Sequence, residues 1–291
     1  SPIAGAEHLA TRKQAGLFDL STFMRIELSG PNALAALERL SCSKVDRPNG
    51  RVSYILLLDT HGGVESDVTV ARLADDRFMI MSGSASGPRD LGWIENHLRG
   101  MDNVVVRDIT PSWAAMGLWG PNALAILDQI VDEPLTLEDH PPYSARWISI
   151  GSIPVMAIRM SYVGEEGFEL HTSTEYGSAL WDLVWDAGRS HGLVAAGGAA
   201  MDSLRLERGF LALGTDLRAE YSPKEAGLGF AIDKSRAGYI GAEALASAKS
   251  AKKLATLLLD PCAPVPLGKE PIFCGSEVAG YVSSANFGFT A

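Results

Sequence analysis

Apolar residues follow two rhythms along the chain: strand-length runs, and longer stretches with apolar positions three and four apart. Residues 23–28 and 114–119 are strand-like runs, each leading through a glycine turn into an Ala/Leu-rich helical segment. The two turn-and-helix segments, Gly30-Pro31-Asn32-Ala33-Leu34-Ala35-Ala36-Leu37 and, ninety positions later, Gly120-Pro121-Asn122-Ala123-Leu124-Ala125-Ile126-Leu127, agree at seven of eight positions. Proline is expected at the first helical position, where a missing N–H costs nothing. A period this long is no solenoid, so the repeat predicts two related α+β halves in one body.

Further strands are expected at 52–58, 68–73, 78–82 and 104–108, and again at 146–150, 155–160 and 168–172. A helix is expected over 88–99, where Leu91, Trp93, Ile94 and Leu98 recur at helical spacing. Another runs from a cap at Ser173 or Thr174 to about 189, with Leu180, Leu183, Val184 and Ala187 on one face and Gly192 beyond its end. A third covers 198–207. Beyond Leu245 the chain is punctuated by Pro261, Pro264, Pro266, Gly268, Pro271, Gly275 and Gly280, which predicts a small β-rich third unit joined through 242–253. The expected division is 1–110, 111–245 and 246–291.

Composition narrows the classes. With 46% hydrophobic and 21% charged residues in 291, the chain falls in the globular range. A formal charge of −10 argues against nucleic acid or an anionic membrane as main partner. Three cysteines, Cys42, Cys262 and Cys274, form neither a disulfide framework nor a thiolate metal site, and suggest a reducing compartment. Apolar runs are far shorter than the ~20 residues of a spanning helix. The start at Ser1 and the stop at Ala291 in mid-pattern suggest a piece of something longer.

Two acidic segments stand out. In His61-Gly62-Gly63-Val64-Glu65-Ser66-Asp67, a two-glycine turn precedes a strand that starts near Asp67. Asp67 either caps the hairpin or, held on a rigid strand end, handles a proton of a substrate nitrogen while the glycines admit a ligand to the backbone. In Arg159-Met160-Ser161-Tyr162-Val163-Gly164-Glu165-Glu166-Gly167-Phe168-Glu169-Leu170, Glu169 is either the solvent face of an edge strand or an inward carboxylate for the N–H groups of a flat heterocycle, with Tyr162 packing on the ring. The segment 201–210 reads as an amphipathic helix with surface pairs such as Asp202 with Arg205. The six histidines lack metal-ligand spacing, and no G-x-G-x-x-G, P-loop or G-x-S-x-G is present; Ser82-Gly83-Ser84-Ala85-Ser86-Gly87 lacks the first glycine of a dinucleotide motif.

Taken in order, several motifs resemble the aminomethyltransferase (glycine cleavage T-protein) family over nearly the whole chain. They are Gly16-Leu17-Phe18-Asp19-Leu20-Ser21, the two Gly-Pro turns, Gly62-Gly63-x-x-x-Asp67, Tyr162-x-Gly164-Glu165-x-Gly167-Phe168-Glu169, Ser203-Leu204-Arg205-Leu206-Glu207 and Pro223-x-Glu225-Ala226-Gly227-Leu228. The segments 209–214 and 217–223 look closest to the folate-binding C-terminal region of dimethylglycine and sarcosine dehydrogenases.

The resemblance implies an α+β, three-domain cloverleaf: two related halves, a small C-terminal barrel-like domain, and tetrahydrofolate in a central hole. Asp67 matches the catalytic aspartate, Glu169 the glutamate that binds the pterin, Tyr162 an aromatic contact, Thr69 a wall residue and Tyr54 a neighbouring strand position; no metal is implied. The implied activity is transfer of a one-carbon unit to tetrahydrofolate, forming 5,10-methylenetetrahydrofolate from an N-methyl or aminomethyl donor such as dimethylglycine or sarcosine. Alternatives are an O- or S-demethylase and a non-catalytic folate binder, although residues 221–228 lack the cysteine of the folate-binding relatives that maintain iron–sulfur proteins. Met201 stands where many T-proteins have arginine, which argues against glycine cleavage itself. An upstream flavin domain or oxidase subunit, and a cytoplasmic or mitochondrial-matrix location, are further expectations.

Overall fold

The computed structural model describes residues 1–250, 252–260 and 262–291. The chain opens with α1 (Pro2–Lys13), β1 (Ala15–Asp19), β2 (Met24–Ser29) and α2 (Ala33–Leu40). It continues through β3 (Val52–Leu58), β4 (Val64–Ala74), β5 (Arg77–Ser82), α3 (Gly87–Leu98) and β6 (Val105–Asp108). The second half runs β7 (Trp113–Trp119), α4 (Ala123–Leu127), β8 (Ala145–Ile150), β9 (Ile153–Ile158), β10 (Gly167–Ser173), α5 (Gly177–Gly188), β11 (Leu193–Ala195) and α6 (Gly198–Glu207). After a long irregular stretch come α7 (Ala242–Ser247), β12 (Pro271–Cys274) and β13 (Glu277–Tyr281).

The repeat in sequence is a repeat in topology. One sheet has the order β3-β4-β5-β2-β6 and the other β8-β9-β10-β7-β1-β11, so each Gly-Pro turn follows the strand at the same place in its own sheet. The difference lies at one edge. In the second sheet β1 is inserted beside β7, which displaces the strand that follows the helix by one position; α1 also packs against this sheet's β1 and β11 and against α6. Neither α1, β1 nor β11 was expected from periodicity.

The repeated turns need glycine. Gly30 has φ +118° and Gly120 φ +138°, and a Cβ on either would sit 2.4–2.5 Å from a backbone oxygen, that of Asn103 or of Gln14. The prolines are displaced from their expected position: Pro31 and Pro121 lie in the turn itself, and the helices begin two residues later. In each copy the Ala N–H closes the turn on the Gly carbonyl, Ala33 to Gly30 O at 2.9 Å and Ala123 to Gly120 O at 3.0 Å, and the asparagine is the N-cap, its side-chain amide donating outward, Asn32 to Asp102 O at 2.8 Å and Asn122 to His191 O at 2.9 Å.

Each sheet buries one face under helices. Ile55, Leu57, Val68, Val70, Phe78 and Ile80 pack with α2 and α3, while Val155, Ala157, Phe168, Leu170, Met116 and Leu118 pack with α4 and α5. Alternate residues of the same strands point the other way, because successive side chains leave a strand on opposite faces. On those faces Val52, Ala71, Met79 and Met81 meet Ala145, Met156 and Ile158, joining the sheets face to face, with Val52 N–H donating to Tyr143 O and Ala145 N–H to Gly50 O across the junction. Leu56, Leu58 and Val64 are covered instead by residues 211–245 through Leu217, Ala226, Leu228, Tyr239 and Leu245.

The C-terminal expectation is corrected. Among the described residues the third unit contains one two-stranded hairpin, β12–β13, and no closed barrel; Phe273 and Val278 are exposed because no further strand pairs or covers them. Pro261 lies outside the described residues. Also among the described residues, no helix is long and apolar enough to cross a membrane.

Replacing Gly120 by Ala is expected to cost roughly 1–3 kcal/mol in urea unfolding, because it forces a strained φ and a backbone contact. Gly92→Ala, in α3 with nothing within 4 Å of the new methyl, is expected to stabilise by about 0.5–1 kcal/mol.

Candidate active site

Where the two sheets diverge and the 211–245 cover begins, they leave a cavity of about 1370 Å³. Its wall on the first sheet is one register row, Tyr54 on β3, Thr69 on β4, Met81 on β5 and Arg25 on β2, with Asp67 two pairs further along and so on the same face. Its wall on the second sheet carries Glu169 and His171, two apart on β10 and so on one face. Trp119, Tyr162, Met201 and residues 208–213 also line it. The five residues singled out in the sequence, Asp67, Glu169, Tyr162, Thr69 and Tyr54, thus border one space.

Several local readings change. Asp67 neither caps the turn nor ends a strand: β4 begins at Val64, and Asp59 Oδ1 caps the turn by accepting the N–H groups of His61 and Gly63, both at 2.8 Å. The two glycines admit the chain's own backbone and not a ligand, since a Cβ on Gly63 would collide with Ala219 O, and Val64 N–H donates to Tyr221 O at 2.9 Å. Glu169 is not on an edge, because β10 lies between β7 and β9. Arg205 is no surface partner: it is buried, held by Asp202 at 2.8 Å and Asp216 at 2.7 Å.

Asp67 is half-buried and accepts the Tyr54 hydroxyl proton on Oδ2 at 2.9 Å. Burial pushes its carboxyl up to about 6, outweighing the Tyr54 hydrogen bond, which pulls it down. Burial, and then the charge of Asp67, hold the Tyr54 phenol well above its usual range, so it stays a donor. Tyr162 donates to Leu211 O at 2.8 Å, stacks with Phe210 at 6.1 Å between centroids, and is raised by burial to about 12. Glu169 Oε2 accepts from His171 Nε2 at 3.2 Å, while its Oε1 has no protein partner among the described residues. At the rim, Lys44, Arg47, Arg51 and Lys234 line the cavity and, among the described residues, form no salt bridge.

This two-lobed body, with carboxylates from separate sheets facing a shared cavity, has the fold of glycine cleavage T proteins. The crystal structure of the aminomethyltransferase T of the glycine cleavage system from Bartonella henselae is similar, with TM-score 0.73 and 30% identity over 84% of this chain and 65% of that one. Residues 1–236 match the GCVT N-terminal domain model, and the chain belongs to that family. The resemblance to aminomethyltransferases is therefore borne out. Among curated relatives, the chain is similar to the aminomethyltransferase of Halalkalibacterium halodurans (33% identity; 84% of this chain, 66% of the relative). It is also similar to 4-methylaminobutanoate oxidase (formaldehyde-forming) of Paenarthrobacter nicotinovorans (32%; 98% of this chain, 35% of the relative). The mitochondrial dimethylglycine dehydrogenase of Rattus norvegicus matches at 31% identity, over 98% of this chain and 34% of the relative. The chain spans about a third of the oxidase and the dehydrogenase and about two thirds of the aminomethyltransferase.

The raised Asp67 pKa has a stability consequence. A folded carboxyl that binds its proton more tightly than the unfolded one favours folding at low pH, and that advantage is lost as pH rises from the ordinary carboxylate range through about 6. Asp67→Asn is therefore expected to raise Tm by a few degrees at pH 8, with the gain shrinking as pH falls from about 6 toward 4 in thermal scans.

Proposed function

We propose that the chain is a tetrahydrofolate-dependent one-carbon transferase that uses an N-methyl or aminomethyl donor, such as dimethylglycine or sarcosine, to form 5,10-methylenetetrahydrofolate. The observation that carries this reading is the pairing, across one cavity, of a proton-handling carboxylate with an anchoring one: Asp67, held by Tyr54, and Glu169, with one oxygen free of protein partners among the described residues. The cavity is large enough for a folate-sized molecule, and its aromatic walls at Tyr54 and Tyr162 suit a flat ring.

When bound, tetrahydrofolate supplies the nitrogens that accept the one-carbon unit. Glu169 accepts N–H groups of the pterin and fixes its orientation, Tyr162 and Thr69 close the walls, and Tyr54 holds the Asp67 carboxyl in place. A carboxyl that titrates near 6 takes up or releases one proton close to neutral pH, and as carboxylate Asp67 stabilises positive charge developing at a nearby nitrogen. The rim cations Lys44, Arg47, Arg51 and Lys234, without a salt bridge among the described residues, give an anionic tail local compensation that the net charge of −10 withholds.

In this reading residues 1–110, 111–245 and 246–291 are the working units, and a flavin domain or oxidase subunit, outside this chain, delivers the oxidised donor. That two relatives named as an oxidase and a dehydrogenase extend to three times this length supports the arrangement. Location in the cytoplasm, or the mitochondrial matrix, belongs to the same proposal.

With tetrahydrofolate and formaldehyde, a donor already at the oxidation level of the methylene unit, Asp67→Asn is expected to lose about 10²–10⁴ in kcat while folate still binds. Glu169→Ala is expected to lose folate affinity by tenfold or more, about the worth of a charge-assisted hydrogen bond. Full turnover in the Asp67→Asn protein overturns the assignment of its role. The mass of the folate product separates methylene from methyl transfer, and no product at all with tight folate binding points to a binding protein.

A further inference from the structure

Arg25 is 1% exposed, yet among the described residues its guanidinium has no carboxylate within salt-bridge distance. Its terminal nitrogens donate to backbone oxygens of the β1–β2 connection, Nη1 to Ser21 O at 3.1 Å and Phe23 O at 2.6 Å, Nη2 to Leu20 O at 3.0 Å. This clamp leaves Nε directed at Nδ1 of His171, at 3.4 Å, across the gap between the sheets. His171 is likewise 1% exposed, and its other nitrogen, Nε2, lies 3.2 Å from Glu169 Oε2.

The chemistry of the three groups fixes the proton positions. Arginine only donates, so Nδ1 must accept; the ring proton is then on Nε2, where it donates to the carboxylate. A doubly protonated ring would set an N–H against the Arg25 N–H, and burial disfavours that form as well. One glutamate oxygen is thereby bound in a set direction, and the other stays available to the cavity.

We propose that His171, held in a single tautomer by Arg25, is a positioning residue for the ligand anchor Glu169. The chain Arg25–His171–Glu169 crosses from β2 to β10, so the docking of the two sheets sets the direction in which Glu169 presents its free oxygen. The inference rests on the reading of Glu169 as the pterin anchor.

The test is calorimetric titration of tetrahydrofolate into the whole chain and its variants, with Tm measured alongside. His171→Asn keeps an acceptor near Nδ1 but does not reach Glu169, and is expected to weaken binding by about tenfold or more. His171→Gln places an amide donor near the Nε2 position and is expected to remain within about threefold of the parent, a rescue that a merely space-filling role would not produce. In the Glu169→Ala background, His171→Asn is expected to add nothing. Unchanged affinity in His171→Asn, or an equal loss with and without Glu169, overturns the inference; should the Asn variant fail to fold, a tenfold loss in a stably folded His171→Gln does so. If Glu169→Ala binds folate as well as the parent, or the parent binds none, the folate reading falls and takes this inference with it.

Discussion

Val52, Ala71, Met79 and Met81 of the first sheet press on Ala145, Met156 and Ile158 of the second, and this contact covers only part of either face. One band of the first sheet touches the other sheet, one is covered by residues 211–245, and the strip between them is left without a partner layer. Polar side chains survive in that strip because neither apolar layer closes over it. Asp67 is consequently surrounded by enough protein to hold its proton toward neutral pH and still borders open space.

The two halves contribute differently despite their common topology. The first supplies a titrating carboxyl steadied by a phenol, the second a carboxylate steadied by an imidazole that is itself held by a guanidinium from the first. Such a site tolerates little slippage between sheets. The insertion of β1 beside β7 bears on this, because the connection that Arg25 clamps is the one that carries the chain from the second sheet into the first.

Much of the fold was legible in the chain. The Gly-Pro repeat announced the two related sheets, and the strands over 52–58 and 78–82 and the helix over 198–207 lie within a residue of their expected bounds, because apolar periodicity and glycine stops act locally. What was missed is informative. α1 has only Ala4, Gly5, His8 and Thr11 buried, too weak an apolar stripe to signal a helix, and β11 is three residues long and owes its existence to β1. Pro/Gly punctuation predicted only a small β-rich third unit, because it marks turns and not the partners that close a sheet; the barrel-like form came from the family resemblance, and the described residues show one hairpin there.

For the site, the residues themselves singled out Asp67, Glu169 and Tyr162, and the order of the motifs indicated the family, whose resemblance added Thr69 and Tyr54. By itself it left two readings each for Asp67 and Glu169, because alternation along a strand tells which residues share a face and not what that face meets. Tertiary structure decided this: Glu169 lies on a central strand facing a cavity, Asp59 rather than Asp67 caps the turn, and Arg205 is buried. It also joined Arg25 to His171, which are 146 positions apart and carry no shared motif. Residue type and spacing are local properties and can be read along a chain; burial and the partners of a charge are set by which surfaces meet, and those exist only once the sheets have docked.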